Sequence, residues 1–277
     1  MNWIIYTDLD GTLLDFTTYS YREVEKSVKL LADRDIPLVF CSSKTRLEQE
    51  VYREALHLQT PFIVENGSAI LIPRGYFSFE PDEVETLKHY SLSVQDGYQR
   101  ILLGEPSDYI RKAIAEARRS AGIQPMGYAD LSLEEIMQRT GLDREAAQRA
   151  AHRDYSETLL QSNPDGSGWQ HFLKLLDAWG LQCVSGGKFY TVMGKSSDKG
   201  KAIEVLNKLF TLKYGTVRSV GLGDSANDLP MLQVVDEPFL VQKPSGAWQE
   251  IDDERIAKVD AVGPAGFNQV IHKLLSR

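Results

Sequence analysis

Ile5-Tyr6-Thr7-Asp8-Leu9-Asp10-Gly11-Thr12 decides how the rest of the chain is read. The apolar run Trp3-Ile4-Ile5-Tyr6 predicts a buried strand, and it stops at two carboxylates one residue apart. Gly11-Thr12 then turns the chain. In an open α/β sheet, ligands gather beyond the carboxyl ends of the strands. Alternation puts Asp8 and Asp10 on one side of the strand line, where both can face one ligand. Two carboxylates that close repel unless a cation or a shared proton intervenes. A divalent metal with a nucleophile and acid/base pair satisfies this. So does a solvated turn, because Asp and Gly favour turns anyway. The pair alone leaves both open.

The same pattern recurs downstream. Val24, Val28 and Leu31 lie at helical spacing within 21–33. Ile36-Pro37-Leu38-Val39-Phe40-Cys41 predicts a second buried strand, ending at Ser42-Ser43-Lys44-Thr45-Arg46, and a charged helix follows to about His57. Pro61-Phe62-Ile63-Val64 predicts a third, ending at Glu65-Asn66-Gly67. Strands alternating with helices imply a parallel sheet with right-handed crossovers.

Near 75–81 the pattern changes. A strand is expected over 100–103 and a helix over 107–121. Ser132-Leu133-Glu134-Glu135 is a capping box opening a short helix that Gly141 can end, and Asp143 can cap the next. Further strands are expected over 155–161 and on either side of Gly186-Gly187, with Asn163-Pro164-Asp165-Gly166 as a turn and a helix over 170–179. After Gly194 the first pattern returns: a helix from Asp198, a strand over 217–222 ending at Gly223-Asp224-Ser225-Ala226-Asn227-Asp228, a short helix over 231–235, a strand over 238–242 and a closing helix over 267–275. The middle is expected to be an inserted α+β domain of about a hundred residues.

Bulk properties narrow the function classes. The 277 residues are 42% hydrophobic and 25% charged, enough for one large or two modest domains. Net charge is −8, which gives no basic face for a nucleic-acid partner. An anionic substrate remains compatible if a metal and local Lys or Arg neutralise it. No apolar run is long enough to span a bilayer, and the immediate first strand leaves no room for a signal peptide. Cys41 and Cys183 are too few for a disulfide framework, so a reducing cytosol is expected.

Reactive residue types therefore stand at Asp8 and Asp10, at Ser42-Ser43, at Lys199, and at Asp224 with Asn227 and Asp228. In this order the four motifs resemble those of the haloacid dehalogenase superfamily. Within it, Cys41-Ser42-Ser43-Lys44-Thr45-Arg46, Pro61 to Gly67, Arg153-Asp154-Tyr155-Ser156-Glu157, Asp198-Lys199-Gly200-Lys201 and Val241-Gln242-Lys243-Pro244 are similar to the mannosyl-3-phosphoglycerate phosphatase family. Thr158 and Lys188 depart from that family's expected Pro and Arg. The resemblance implies a Rossmann-like α/β core over 1–81 and 191–277, with a C2-type α+β cap inserted at 82–190.

It also implies roles. Asp8 becomes an aspartyl-phosphate, and Asp10 protonates the leaving oxygen and then activates water. A magnesium ion sits on Asp8, the Asp10 carbonyl and Asp224, because hard oxygen ligands suit it. Ser42 and the Ser43 N–H hold phosphate oxygens, Lys199 spreads positive charge, and Asn227 and Asp228 orient metal waters or Lys199. Substrate contacts are expected from Ser43, Lys44, Glu65, Asn66, Gly67, Arg153, Ser156, Glu157, Gly187 and Lys188, with exposed cap loops as the alternative for the last group. The implied reaction is hydrolysis of mannosyl-3-phosphoglycerate. A glucosyl-3-phosphoglycerate or sucrose phosphate phosphatase, a phosphomutase, and a non-catalytic sugar-phosphate sensor remain alternatives.

A cysteine mechanism is the rival reading of Cys41 to Arg46. One residue too few separates the thiol from the guanidinium for a cysteine-phosphatase loop. Cys41 also ends an apolar run, where a small buried thiol is ordinary.

Overall fold

The computed structural model describes residues 2–160, 166–185 and 189–277. In chain order the elements are β1 (Asn2–Thr7), α1 (Glu25–Ala32), β2 (Leu38–Phe40), α2 (Arg46–Ala55), β3 (Phe62–Val64), β4 (Ala69–Pro73), β5 (Ser91–Gln95) and β6 (Tyr98–Leu102). Then follow α3 (Ser107–Ala121), β7 (Met126–Gly127), α4 (Leu133–Thr140), α5 (Arg144–Ala151), β8 (Ser156–Leu160), α6 (Ser167–Ala178), β9 (Leu181–Ser185) and β10 (Tyr190–Gly194). The chain closes with α7 (Lys199–Tyr214), β11 (Val217–Gly223), α8 (Leu229–Val234), β12 (Glu237–Gln242), β13 (Ala257–Val262) and α9 (Gly263–Leu275).

β1 is the middle of the fold because it is apolar on both sides. Ile5 faces a core built with Val28 and Leu31 of α1 and Phe267, Val270 and Ile271 of α9. Ile4 and Tyr6 face the opposite core, with Ile203, Leu206 and Phe210 of α7 and Met231 and Leu232 of α8. The period of two along the strand divides these side chains between the faces. A strand buried on both faces is what a parallel sheet under two helical layers requires. The sheet has five parallel strands in the order β13-β12-β11-β1-β2. Strand order reverses beside β1, so the ends of β1, β2 and β11 converge on one crevice.

A parallel bridge between Cys41 and Ile63 joins β2 to β3, which opens a four-stranded antiparallel sheet, β3-β4-β6-β5. Residues 91–102 lie in this sheet, β6 paired with β4 and β5 with β6, although the sequence placed them in the insertion. A second antiparallel sheet, β7-β8-β10-β9, carries α3 and α6 on one face. There Trp169 stacks on Phe172 in the core. α4 and α5 form a small satellite core with Tyr128.

The local signals mostly act as read. Ser132 and Glu135 complete the capping box of α4, Gly141 ends it in the left-handed conformation, and Asp143 caps α5. β13 has little sequence signal, because Ala257-Lys258-Val259-Asp260-Ala261-Val262 is a mostly exposed edge strand. No helix among the described residues is long and apolar enough to cross a membrane.

Candidate active site

Each catalytic candidate lies where an element ends. Asp8 follows β1, Ser42 follows β2, Asp224 follows β11, and Lys199 opens α7 behind its Asp198 cap. Gly11 makes this convergence possible. It has φ of +79°, and a Cβ there would lie 2.9 Å from Asp224 Oδ2. The motif turn and the Asp224 loop thus touch across the crevice, although Asp10 and Asp224 are remote in sequence.

Lys199 is fully buried and is the electrostatic hinge of the site. Its ammonium donates to Asp8 Oδ1 at 2.7 Å and to Asp228 Oδ1 at 2.5 Å. Burial opposes its charge, but Asp228 and Asp8 outweigh this and hold its pKa above the usual lysine range. The second oxygen of Asp228 accepts the N–H groups of Asp224 and Ser225, both at 3.0 Å. Asp228 therefore ties Lys199 and the Asp224 turn together. Asn227 instead donates to Asn66 Oδ1 at 3.2 Å.

Asp8, Asp224 and Asp228 bring ligand oxygens within 4.8 Å of one another. Burial and neighbouring carboxylates push Asp8 up to about 7 and Asp224 up to about 8. One lysine does not neutralise three buried acids. The oxygen-only donor set suits a small hard divalent cation. Asp228 is already saturated by donors, which leaves Asp8 and Asp224 as the carboxylates suited to hold it. The raised pKa values give a sign to the pH dependence of the metal-free protein. Without the cation both groups ionise at higher pH in the fold than in the unfolded chain. Their contribution is therefore complete below about pH 4 and is lost as pH rises through 7 and 8. In the presence of a chelator, the melting temperature is expected to be several degrees lower at pH 9 than at pH 5, and excess magnesium is expected to close most of that gap. Melts that are equal at both pH values would remove the charge argument.

Asp10 stands apart from that cluster. Its Oδ2 pairs with Lys44 Nζ at 3.0 Å, while its buried Oδ1 has no partner. Burial raises its pKa, with Lys44 acting against this. A carboxyl with one free oxygen and a raised pKa is suited to donate and take back a proton. Lys44 also meets Glu48 at 3.5 Å and lies 5.0 Å from the Tyr19 ring. Neither partner was singled out in the sequence. The Thr45-Glu48 capping box of α2 was legible there and would have pointed to Glu48; nothing local points to Tyr19.

The expected substrate residues divide. Ser43, Lys44, Glu65, Arg153 and Ser156 come together where the cap meets the core, but largely bound to one another. Arg153 donates to Ser43 O at 3.2 Å and Ser156 Oγ at 2.9 Å. Ser42 is buried, and its hydroxyl accepts the Lys44 N–H at 3.4 Å. Glu157 is buried within the cap, on Arg111 Nε at 2.7 Å and Ala129 N at 3.1 Å, where it props the turn carrying Tyr128. Gly67 packs on the backbone of Asp198. Gly187 and Lys188 lie outside the described residues. Burial pushes the Cys41 thiol far up, so thiolate chemistry has no footing there.

A parallel sheet whose strand ends gather two carboxylates and a third acid around a buried lysine is the arrangement of a hydrolase site. Residues 5–258 match the family of haloacid dehalogenase-like hydrolases, and the chain belongs to it. It is 39% identical over 278 residues to the glucosyl-3-phosphoglycerate/mannosyl-3-phosphoglycerate phosphatase of Methanococcoides burtonii, covering 100% of this chain and 98% of that one. It is also 39% identical over 238 residues to the mannosyl-3-phosphoglycerate phosphatase of Pyrococcus furiosus, covering 86% and 90%. The fold is shared with a Synechocystis sucrose-phosphatase solved with sucrose and phosphate, at a TM-score of 0.61 and 15% identity over 99% of this chain and 98% of that one.

Proposed function

We propose that this chain is a divalent-metal-dependent phosphatase that hydrolyses mannosyl-3-phosphoglycerate, and the glucosyl compound as well, to the sugar glycerate and phosphate. The observation that carries the chemistry is the buried Asp8–Lys199–Asp228 bridge beside Asp224, with Asp10 half-unpartnered two residues on. The substrate class rests on the full-length likeness to the Methanococcoides burtonii protein.

Asp8 attacks phosphorus in line with the glycerate oxygen, which leaves with a proton from Asp10, and the phosphoryl group stays on Asp8. The deprotonated Asp10 then takes a proton from water, which attacks the aspartyl-phosphate and frees Asp8. Lys199 offsets charge on the transferring group, and Ser42 and the Ser43 N–H hold its outer oxygens. Asp8, Asp224 and the Asp10 carbonyl would hold the cation, magnesium by preference, which would neutralise phosphate and carboxylate as they meet. Residues inserted between the two halves of the core serve as the cap that excludes bulk water.

Phosphate release from the mannosyl and glucosyl esters is expected to exceed that from sucrose phosphate by about a hundredfold or more in kcat/KM. Sucrose phosphate as the best of the three would reassign the leaving group. A transfer of phosphate to a second sugar, without release, would make the chain a mutase.

A further inference from the structure

Glu65, Asn66 and Gly67 all hold left-handed backbone, with φ of 49°, 59° and 93°. Successive residues in this region, two of them not glycine, persist only where the surroundings determine them. Here three separate elements do so. Gly67 lies so close to α7 that a Cβ would fall 2.1 Å from Asp198 O. Asn66 accepts from Asn227 on the Asp224 loop. Glu65, only 1% exposed, turns the other way, into the cap.

Among the described residues, the donors to the Glu65 carboxylate come from one cap segment, residues 153–156. Oε1 accepts the Asp154 N–H at 3.0 Å; Oε2 accepts the Tyr155 N–H at 3.2 Å and the Ser156 hydroxyl. Arg153 Nη1 stands 3.7 Å from Oε2 and reaches on to the Ser43 carbonyl. A buried carboxylate held by peptide N–H groups and a guanidinium makes strong, directional contacts. The carboxylate is thus occupied by the cap, at the lead-in to β8, and is not offered to sugar hydroxyls.

We propose that Glu65 is the latch that docks the cap on the phosphoryl-transfer loops, a positioning residue that places the leaving group over Asp10 without touching it. This rests on the phosphatase reading for its kinetic consequence only. One rigid turn joins the cap segment, the Asp224 loop and the start of α7. Displacing the cap therefore means breaking the Glu65 contacts together, not one at a time.

Glu65→Gln keeps the shape but turns one acceptor into a donor facing a donor. Its kcat/KM for the sugar phosphoglycerate is expected to fall by about tenfold or more, while p-nitrophenyl phosphate, whose leaving group is too small to be positioned by the cap, retains at least about a third of its rate. Amide exchange at Asp154 and Tyr155 is expected to quicken by about tenfold, with β1 and β11 still protected. Ser156→Ala removes a single donor and is expected to give the same pattern at about threefold, so the latch can be judged even if Glu65→Gln folds poorly. Equal losses on both esters, or unchanged exchange at 154 and 155, overturn the latch. If the parent protein cleaves neither ester, the phosphatase reading fails, and the exchange experiment still decides the docking.

Discussion

Asp8→Asn is expected to lower kcat by about 10⁴-fold or more, with no phosphorylated protein trapped in a rapid quench. Asn has the shape of Asp and keeps an oxygen for Lys199, so the fold survives. What it lacks is a charged oxygen able to attack phosphorus. No neighbouring residue can substitute. Asp228 has both oxygens held by Lys199 and by the N–H groups of Asp224 and Ser225. Asp10 is turned toward Lys44. Cys41→Ser, by contrast, is expected to keep activity within about threefold, because that thiol is buried among apolar side chains and held neutral. Intact-mass measurement after quenching should show one added phosphoryl group on the parent protein and none on the Asp8 variant. An Asp8→Asn protein with near-parental turnover would end the aspartyl-phosphate mechanism.

Lys199→Met is expected to be the most damaging single change to stability in the site. Its ammonium is the shared partner of two buried carboxylates, and removing it leaves both without a counter-charge. Breaking such a pair from one side costs about 3–5 kcal/mol, which for a chain of this size corresponds to a loss of about 10 °C in melting temperature. The sign of the pH dependence follows. Without lysine the carboxyl pKa values rise further, so the folded chain is penalised once those groups would ionise in the unfolded state. The deficit should therefore be larger at pH 8 than at pH 5. Turnover is expected to fall by about 10³-fold as well, because charge on the transferring group goes unopposed. Thermal melts at the two pH values, with and without magnesium, check this. A deficit independent of pH would mean that Lys199 matters to packing alone.

Most of the core was legible because its signals are local. Alternation in β1, the Ser132 and Asp143 caps, and the Gly141 stop depend on residues a few positions apart. The Asp8, Ser42, Lys199 and Asp224 motifs were legible because each sits at the end of an apolar run or the start of a helix. β5 and β6 were harder. Ser91 to Gln95 is mostly exposed, and its place in a sheet comes from pairing with β6, not from its own pattern. Glu48 is signalled locally, by the Thr45 capping box.

Short-range spacing alone picks out the candidates for the chemistry and puts them where strands end or a helix begins. What the polar residues around them hold depends on contacts made across the fold. Lys44 pairs with Asp10 rather than standing free, Glu157 braces a turn inside the cap, and Glu65 grips a segment 89 residues away. A buried charge takes the partner that packing brings within hydrogen-bond reach, and a partner so remote leaves no trace in local spacing.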